Sequence, residues 1–410
     1  MRYILKYCLA IILLVLSFLP LRAESILSDN IDLSAQLYLF AAQASTPKYF
    51  LQDYKEASAK FSIDFNYNFT DNFHITFLPY VQADYDINRN DRTQSKIRIW
   101  QGYVDYTLNN FNFTLGRFTF EDKTLAPFIY YGADLNKDLS LPTALDGIKH
   151  SFDNAYFAYA ILAGRETEIN EHSKAKVAGA KIEMIPLSWL NISAFYFYQN
   201  KKYTTNIRDI NHNLYLYGAG INLFFSATSG LNFAFAQNNG TRETRRLATN
   251  TQKDYKGYAF SGELYFENTY KAGVLNSKIG FYKFSSDNHP FVPFASKLNI
   301  GIIYGGMNYN NAFTNSPEII YTDFDFTPYK YPSLFMGGGI FIYSSGKDNF
   351  DNHNYYASEV NLRLGLDFDD WGVKLSGGLF NGEAVFLGKP SKESQIIKKI
   401  QVNLFYKFDI

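Results

Sequence analysis

Glu359, Arg363 and Asp367 recur at every fourth position of one stretch, with Asn361 and Gly365 between them. The intervening residues are Val360, Leu362, Leu364, Leu366 and Phe368. Even spacing puts the charged groups on one face of an extended chain and the apolar groups on the other. Such a row of mixed sign can orient water, an ion or a polar solute, but it supplies no nucleophile. Catalytic patterns are absent elsewhere as well. The sequence has no Gly-x-Ser-x-Gly, His-Glu-x-x-His or Cys-x-x-Cys, and His74, His150, His172, His212, His289 and His353 form no ligand-spaced pair. His172 and His353 fall in expected loops near acids, where a histidine is ordinarily just solvated. The expectation is a protein that is not an enzyme, with no catalytic residue, no cofactor and no metal.

Composition narrows the class. The 410 residues include 38 Phe and 33 Tyr, yet mean hydropathy is only −0.21. Apolar and polar residues are therefore interleaved rather than segregated, as in a wall with lipid on one side and water on the other. Lys and Arg together number 39, as do Asp and Glu, which gives no footing for a nucleic-acid partner. Residues 1–23 read as a secretory signal: Arg2 and Lys6, an apolar run from Leu9 to Leu19, and a cleavage site after Ala23. Cleavage would remove the single cysteine, Cys8, and with it any disulfide chemistry. Loss of Arg2, Lys6 and Arg22 from the balanced 39 and 39 leaves the mature chain at −3. No later stretch approaches the roughly 20 apolar residues of a membrane helix.

The elements that must position the charges are strands. Ile400, Val402, Leu404, Tyr406, Phe408 and Ile410 alternate with Gln401, Asn403, Phe405, Lys407 and Asp409. The first strand, from Ile31, alternates in the same way and is its expected neighbour. Phe61–Phe69 turns through Thr70-Asp71-Asn72 into Phe73–Phe77, and Arg98–Leu108 turns at Asn109-Asn110 into Phe111–Phe120. Short turns alternate with long polar links, including one holding Arg242, Glu243, Arg245 and Arg246. Residues 24–410 thus read as one all-β domain, a transmembrane antiparallel β-barrel of about 18 strands (16–18) with short periplasmic turns and long extracellular loops. Gly305 to Pro332 alternates poorly. Either a hairpin is hidden there or the segment folds into the pore.

A charge at the bilayer midplane costs roughly 2–4 kcal/mol on the lipid side of a barrel. Strand parity therefore turns Asp64, Asp105, Lys149, Lys181, Glu183, Glu263, Lys278, Glu359, Arg363, Asp367 and Lys374 toward the lumen, with Asp32, Asp84 and Lys407. Glu359 and Asp367 are the expected partners of Arg363. Arg117 shares parity with Phe113 and Leu115, and a bulge at Gly116 would be needed to turn it inward. Phe69, Tyr106, Tyr196, Tyr217, Phe225 and Tyr406 fit an interfacial girdle.

Gln101-Gly102-Tyr103-Val104-Asp105-Tyr106, then Leu115-Gly116-Arg117, then Leu145-Asp146-Gly147-Ile148-Lys149 resemble a recurring pattern of Gram-negative porins. It is similar to that of the OprD and alginate-export type and of the major porins of Campylobacter and Helicobacter relatives. The match covers about fifty residues, and the chain departs from those barrels in ending with Ile410 rather than Phe. The resemblance implies passive diffusion through a charge-lined pore narrowed by inward loops, with Arg117 and Lys149 as basic lining residues. Leu125 to Pro142 would then be the infolded constriction. The expected setting is the cell outer membrane, with membrane lipid, the barrel assembly machinery and small hydrophilic solutes as partners. Monomer and homotrimer both suit the sequence. The other class open to it is a surface interaction or structural barrel with an occluded lumen.

Overall fold

The structure, a computed structural model, describes residues 30–45, 54–86, 91–92, 96–122, 124–131, 144–167, 175–205, 208–246, 249–285, 291, 318–347, 354–383 and 394–409. The expected signal sequence, residues 132–143, Lys297–Tyr304 and Ile410 lie outside them. Eighteen long strands follow one another: β1 (Ile31–Ser45), β2 (Tyr54–Thr70), β3 (Phe73–Asp86), β4 (Lys96–Leu108), β5 (Phe111–Phe118) and β6 (Ala144–Asp153). Next come β7 (Phe157–Thr167), β8 (Lys176–Leu187), β9 (Leu190–Thr205), β10 (Arg208–Ser226), β11 (Ser229–Arg246) and β12 (Thr249–Tyr270). The last six are β13 (Gly273–Phe284), β14 (Glu318–Pro328), β15 (Leu334–Lys347), β16 (Asn354–Asp367), β17 (Trp371–Glu383) and β18 (Ser394–Asp409). Each pairs antiparallel with the next, and Asp91–Arg92 adds a two-residue extension at the end of β3. β18 returns to β1 in a register from Ser34 opposite Asp409 to Ser45 opposite Lys398, which closes the sheet. A closed sheet leaves no edge.

Alternation becomes two faces. Leu362, Leu364, Leu366, Leu375, Leu379, Ile400, Val402 and Leu404 are exposed on the outside. Their neighbours Glu359, Asn361, Ser376, Phe380, Gln401 and Asn403 are buried on the inside. Of the proposed girdle, Phe69, Tyr106, Tyr196 and Phe225 face outward and are exposed. A charge on the two faces should therefore behave differently. Leu362→Arg should destabilise the barrel by about 2–4 kcal/mol in lipid unfolding titrations, and arginine at Asn276, which faces inward and is exposed, by clearly less. Equal costs would remove the distinction between the faces.

One end carries short turns throughout, from Asp71-Asn72 between β2 and β3 to residues 368–370 between β16 and β17. β4 and β5 are joined by Asn109-Asn110, with Asn109 at φ 52°, a left-handed conformation that asparagine tolerates. Two sequence expectations change here. Arg242, Glu243, Arg245 and Arg246 belong to β11, which pairs with β12 as far as Arg246 opposite Thr249, so this is no loop. The hidden hairpin is β14 with β15. Ile319 and Tyr321 face inward while Ile320, Phe324 and Phe326 face outward, so apolar residues on both sides erase the period-two signal.

Candidate constriction and lumen wall

After β5 the chain turns into the barrel. Phe120 and Tyr131 exchange backbone hydrogen bonds of 2.7 and 2.9 Å, which close the neck of a small loop. Inside it, the amides of Phe128 and Ile129 donate to the Leu125 carbonyl, each at 2.8 Å. Asp122 Oδ1 accepts the amides of Thr124 and Leu125 at 3.0 Å, the side-chain capping that favours aspartate at a turn. Leu125, Phe128, Ile129 and Tyr131 are completely buried. The expected infolding of Leu125 onward is thus seen as far as Tyr131, and it begins earlier, at Phe120.

The wall is shaped to receive this loop. Phe120 packs on Phe197 with ring centres 5.6 Å apart, and Phe128 stacks on Phe195 at 6.4 Å and meets Phe291 edge-on at 5.8 Å. Ala234, Ala236 and Ala259 on β11 and β12 are buried in the same cluster, where their small size leaves room. Three polar latches fix the register. Lys181, on β8, donates to the second oxygen of Asp122 and to Glu183 Oε2 at 2.7 Å. Thr124 and Asn222 bond to each other at 3.0–3.1 Å. Tyr131 Oη and Gln199 Nε2 donate to Glu166 Oε1 at 2.7 and 2.6 Å, with Lys201 at 3.9 Å from the other oxygen. Buried polar groups that find partners hold one arrangement far better than apolar contact alone.

Between loop and wall lies a gap of about 60 Å³, with Thr124 and Pro127 on one side and Asn232, Ser261, Glu263, Tyr282 and Tyr321 among the residues opposite. Tyr321 Oη donates to Glu263 Oε2 at 2.6 Å, and Lys278 Nζ stands 3.5 Å from the other carboxylate oxygen. Acceptors, donors and both signs of charge thus meet in this gap.

Of the twelve residues expected to line the pore, eleven face inward. Asp64 accepts from Asn66 at 3.0 Å, and Asp105 from Thr114 at 2.5 Å. Lys149 lies 5.7 Å from the ring centre of Phe118, and Lys374 6.0 Å from that of Phe335. Glu183 also accepts from Asn191. Glu359 is fully buried and accepts from Tyr343 Oη at 3.3 Å, while Asp367 is exposed near the β16–β17 turn. Asp84's side chain lies outside the described residues.

Arg117 is the exception. Register runs unbroken through Gly116 on both sides, from Val104 opposite Leu115 to Gly102 opposite Arg117, and from Gly116 opposite Gly147 to Arg117 opposite Asp146. There is no bulge, and Arg117 remains outside with Leu115. Gly116 is needed for a different reason. Its φ is +129°, and a Cβ there would strike the Gly102 carbonyl.

Arg363 faces inward with different partners from those expected. Its Nη2 donates to Asp323 Oδ1 at 2.7 Å and Asp325 Oδ1 at 3.1 Å, and its Nη1 reaches Asp323 Oδ2 at 3.3 Å. Those carboxylates belong to β14, one strand beyond its neighbour β15. The side chain can cross because β15 presents Gly337 and Gly339 there: a Cβ on Gly337 would occupy the place of the Asp325 carboxylate. Sequence reasoning missed Asp323 and Asp325, although Asp323-Phe324-Asp325-Phe326 alternates. It also missed Asp122 and Glu166, which stand at the ends of stretches read as loops.

No family model matches the chain, and no curated protein matches it in sequence. Solved structures share its fold. Pseudomonas aeruginosa OpdQ superposes with a TM-score of 0.61 at 12% identity, covering 94% of this chain and 100% of OpdQ. P. aeruginosa OpdO gives 0.62 at 12% identity, over 94% and 98%. Acinetobacter baumannii OccAB4 gives 0.58 at 10%, over 93% and 98%. The chain is similar to these barrels along nearly its whole length, and at such identity the likeness is one of fold.

Proposed function

We propose that the protein is an outer-membrane porin through which small hydrophilic solutes diffuse passively. One observation carries this reading. Lys278 and Asp325 face inward, yet their side chains are 49% and 47% exposed. Charges so placed need water inside the barrel, because a dry interior would penalise each by several kcal/mol. Eighteen strands give a circumference at which barrels hold an aqueous channel. Nine of the eleven inward residues from Asp64 to Lys374 supply its charged lining, Lys181 and Glu359 being buried, and the loop Phe120–Tyr131 narrows it. The protein's partners are then outer-membrane lipid, the assembly machinery that inserts barrels, and the solutes themselves.

A second reading rests on the apolar cluster inside. Phe118, Phe195, Phe197, Tyr321, Phe341, Tyr343 and Phe380 are all buried on the lumen side, which favours a structural barrel occluded at that level. Osmotic swelling of proteoliposomes separates the two. A porin gives swelling rates that fall with solute size; an occluded barrel gives none above protein-free vesicles.

A further inference from the structure

The outside of the barrel carries a charge row across β5 to β8 that permeation does not use. Arg117, Asp146, Arg165 and Lys176 are register partners across β5, β6, β7 and β8, on the face of Leu115 and Ile148. Arg117 closes on Asp146 through Nε at 2.7 Å and Nη2 at 2.9 Å, and Nη1 donates to the Ile99 carbonyl at 2.7 Å. The pair neutralises itself. Arg165 and Lys176 are exposed, and neither forms an ion pair among the described residues. The row therefore has positive charge to spare on a face otherwise built for lipid.

Beside it opens a groove of about 590 Å³, lined on its apolar side by Ile75, Phe77, Ile99, Val104, Leu115 and Ile148. Gly102 forms its floor, and only side chains approach the place of a Cβ there, at 3.4 Å or more. The groove exists because β4 has no side chain at that point and because register slips between Leu78 and Pro79, which brings Ile99 to the outside. Its volume is in the roughly 300–1,000 Å³ range of a site for a discrete small molecule. The charge row lies at the end toward the long connections, and the apolar part extends toward the short turns.

We propose that groove and row bind one molecule of the phosphorylated glycolipid of the outer leaflet. An acyl chain lies over Gly102 and a phosphate sits at Arg165 and Lys176, with Arg117 held ready by Asp146. Charge complementarity selects this occupant: an apolar tail suits the groove, and only an anionic head matches the surplus cations Arg165 and Lys176, one and two strands to the side of Asp146 at its outer corner. The inference rests on the outer-membrane reading.

The test is native mass spectrometry of the full chain in neutral detergent, titrated with bisphosphorylated lipid A, its dephosphorylated form, or phosphatidylglycerol. One-to-one retention of the bisphosphorylated lipid is expected. Neutralising Arg165 and Lys176 to glutamine should weaken it about fivefold for each cation lost. Gly102→Leu should weaken it about tenfold by filling the groove. The two exposed charge changes keep the test decisive if the glycine variant does not fold. Equal retention of the dephosphorylated lipid or of phosphatidylglycerol, or unchanged affinity in both variants, overturns the proposal. A lipid-free oligomer lost in Gly102→Leu overturns it too, and assigns the face to a second copy of the chain. Proteoliposome swelling should be unaltered in these variants; absent swelling with lipid retained counts against the porin reading alone.

Discussion

Lys181→Met should lower the unfolding free energy by about 3–5 kcal/mol and raise single-channel conductance severalfold. The Lys181 side chain is 7% exposed and serves two carboxylates at once, Asp122 on the infolded loop and Glu183 on its own strand. Methionine fills a similar volume but supplies no charge. Two carboxylates are then left together in a site with little water, and breaking such an arrangement costs more than its formation gains. Relief comes by releasing Asp122, the residue that also caps the loop's turn through Thr124 and Leu125. The loop then loses one of its three latches, and the gap beside Glu263 and Tyr321 widens. The double change Lys181→Met with Asp122→Asn separates the effects. It should regain part of the stability, because the stranded charge is gone, and should keep the raised conductance. Wild-type conductance in Lys181→Met would show that the loop does not set the constriction.

Arg363→Glu carries the second large effect. Arg363 is the cation between Asp323 and Asp325, with 14% of its side chain exposed. Glutamate in its place gathers three carboxylates on the inner wall, where the wild type has two carboxylates partly offset by one cation. Stability should fall by several kcal/mol, as expected when a largely buried ion pair is replaced by like charges. The channel should become markedly more selective for cations, because unpaired carboxylates in a confined aqueous path concentrate counter-ions. The measurement is the reversal potential across a tenfold salt gradient. A value unchanged from wild type would place Arg363 away from the ion path.

Much of this architecture could be read from the chain. Strict alternation, as in Ala357–Phe368 and Ile400–Tyr406, gave the faces correctly, because period two leaves only two choices for each side chain. Short turns such as Asn109-Asn110 fixed the hairpins on one end. Legibility failed where that logic has nothing to act on. β14 is apolar on both sides at Ile319, Ile320 and Tyr321, so Glu318–Pro328 hid as an irregular stretch although its Asp323 and Asp325 anchor Arg363. The loop Phe120–Tyr131 has no period, so its start and its latch residue Asp122 could not be placed. Partners across strands were equally hidden. Parity assigns Arg363 a face, but only the glycines of β15 explain why it reaches past the adjacent strand. Arg117 is the instructive case. Its parity pointed outward, and the cost of a lipid-facing charge argued for a bulge. The protein instead supplies Asp146 and the Ile99 carbonyl beside it, which satisfies the guanidinium without turning the chain.

In a porin of this build, water runs through the barrel past the loop held by Lys181, Asn222 and Glu166. Planar-bilayer recording of the purified protein tests it most directly. Stepwise, ohmic conductance increments are expected under applied voltage, larger in Lys181→Met than in wild type. Protein inserted in the bilayer that gives no step at any voltage, in either form, would contradict it.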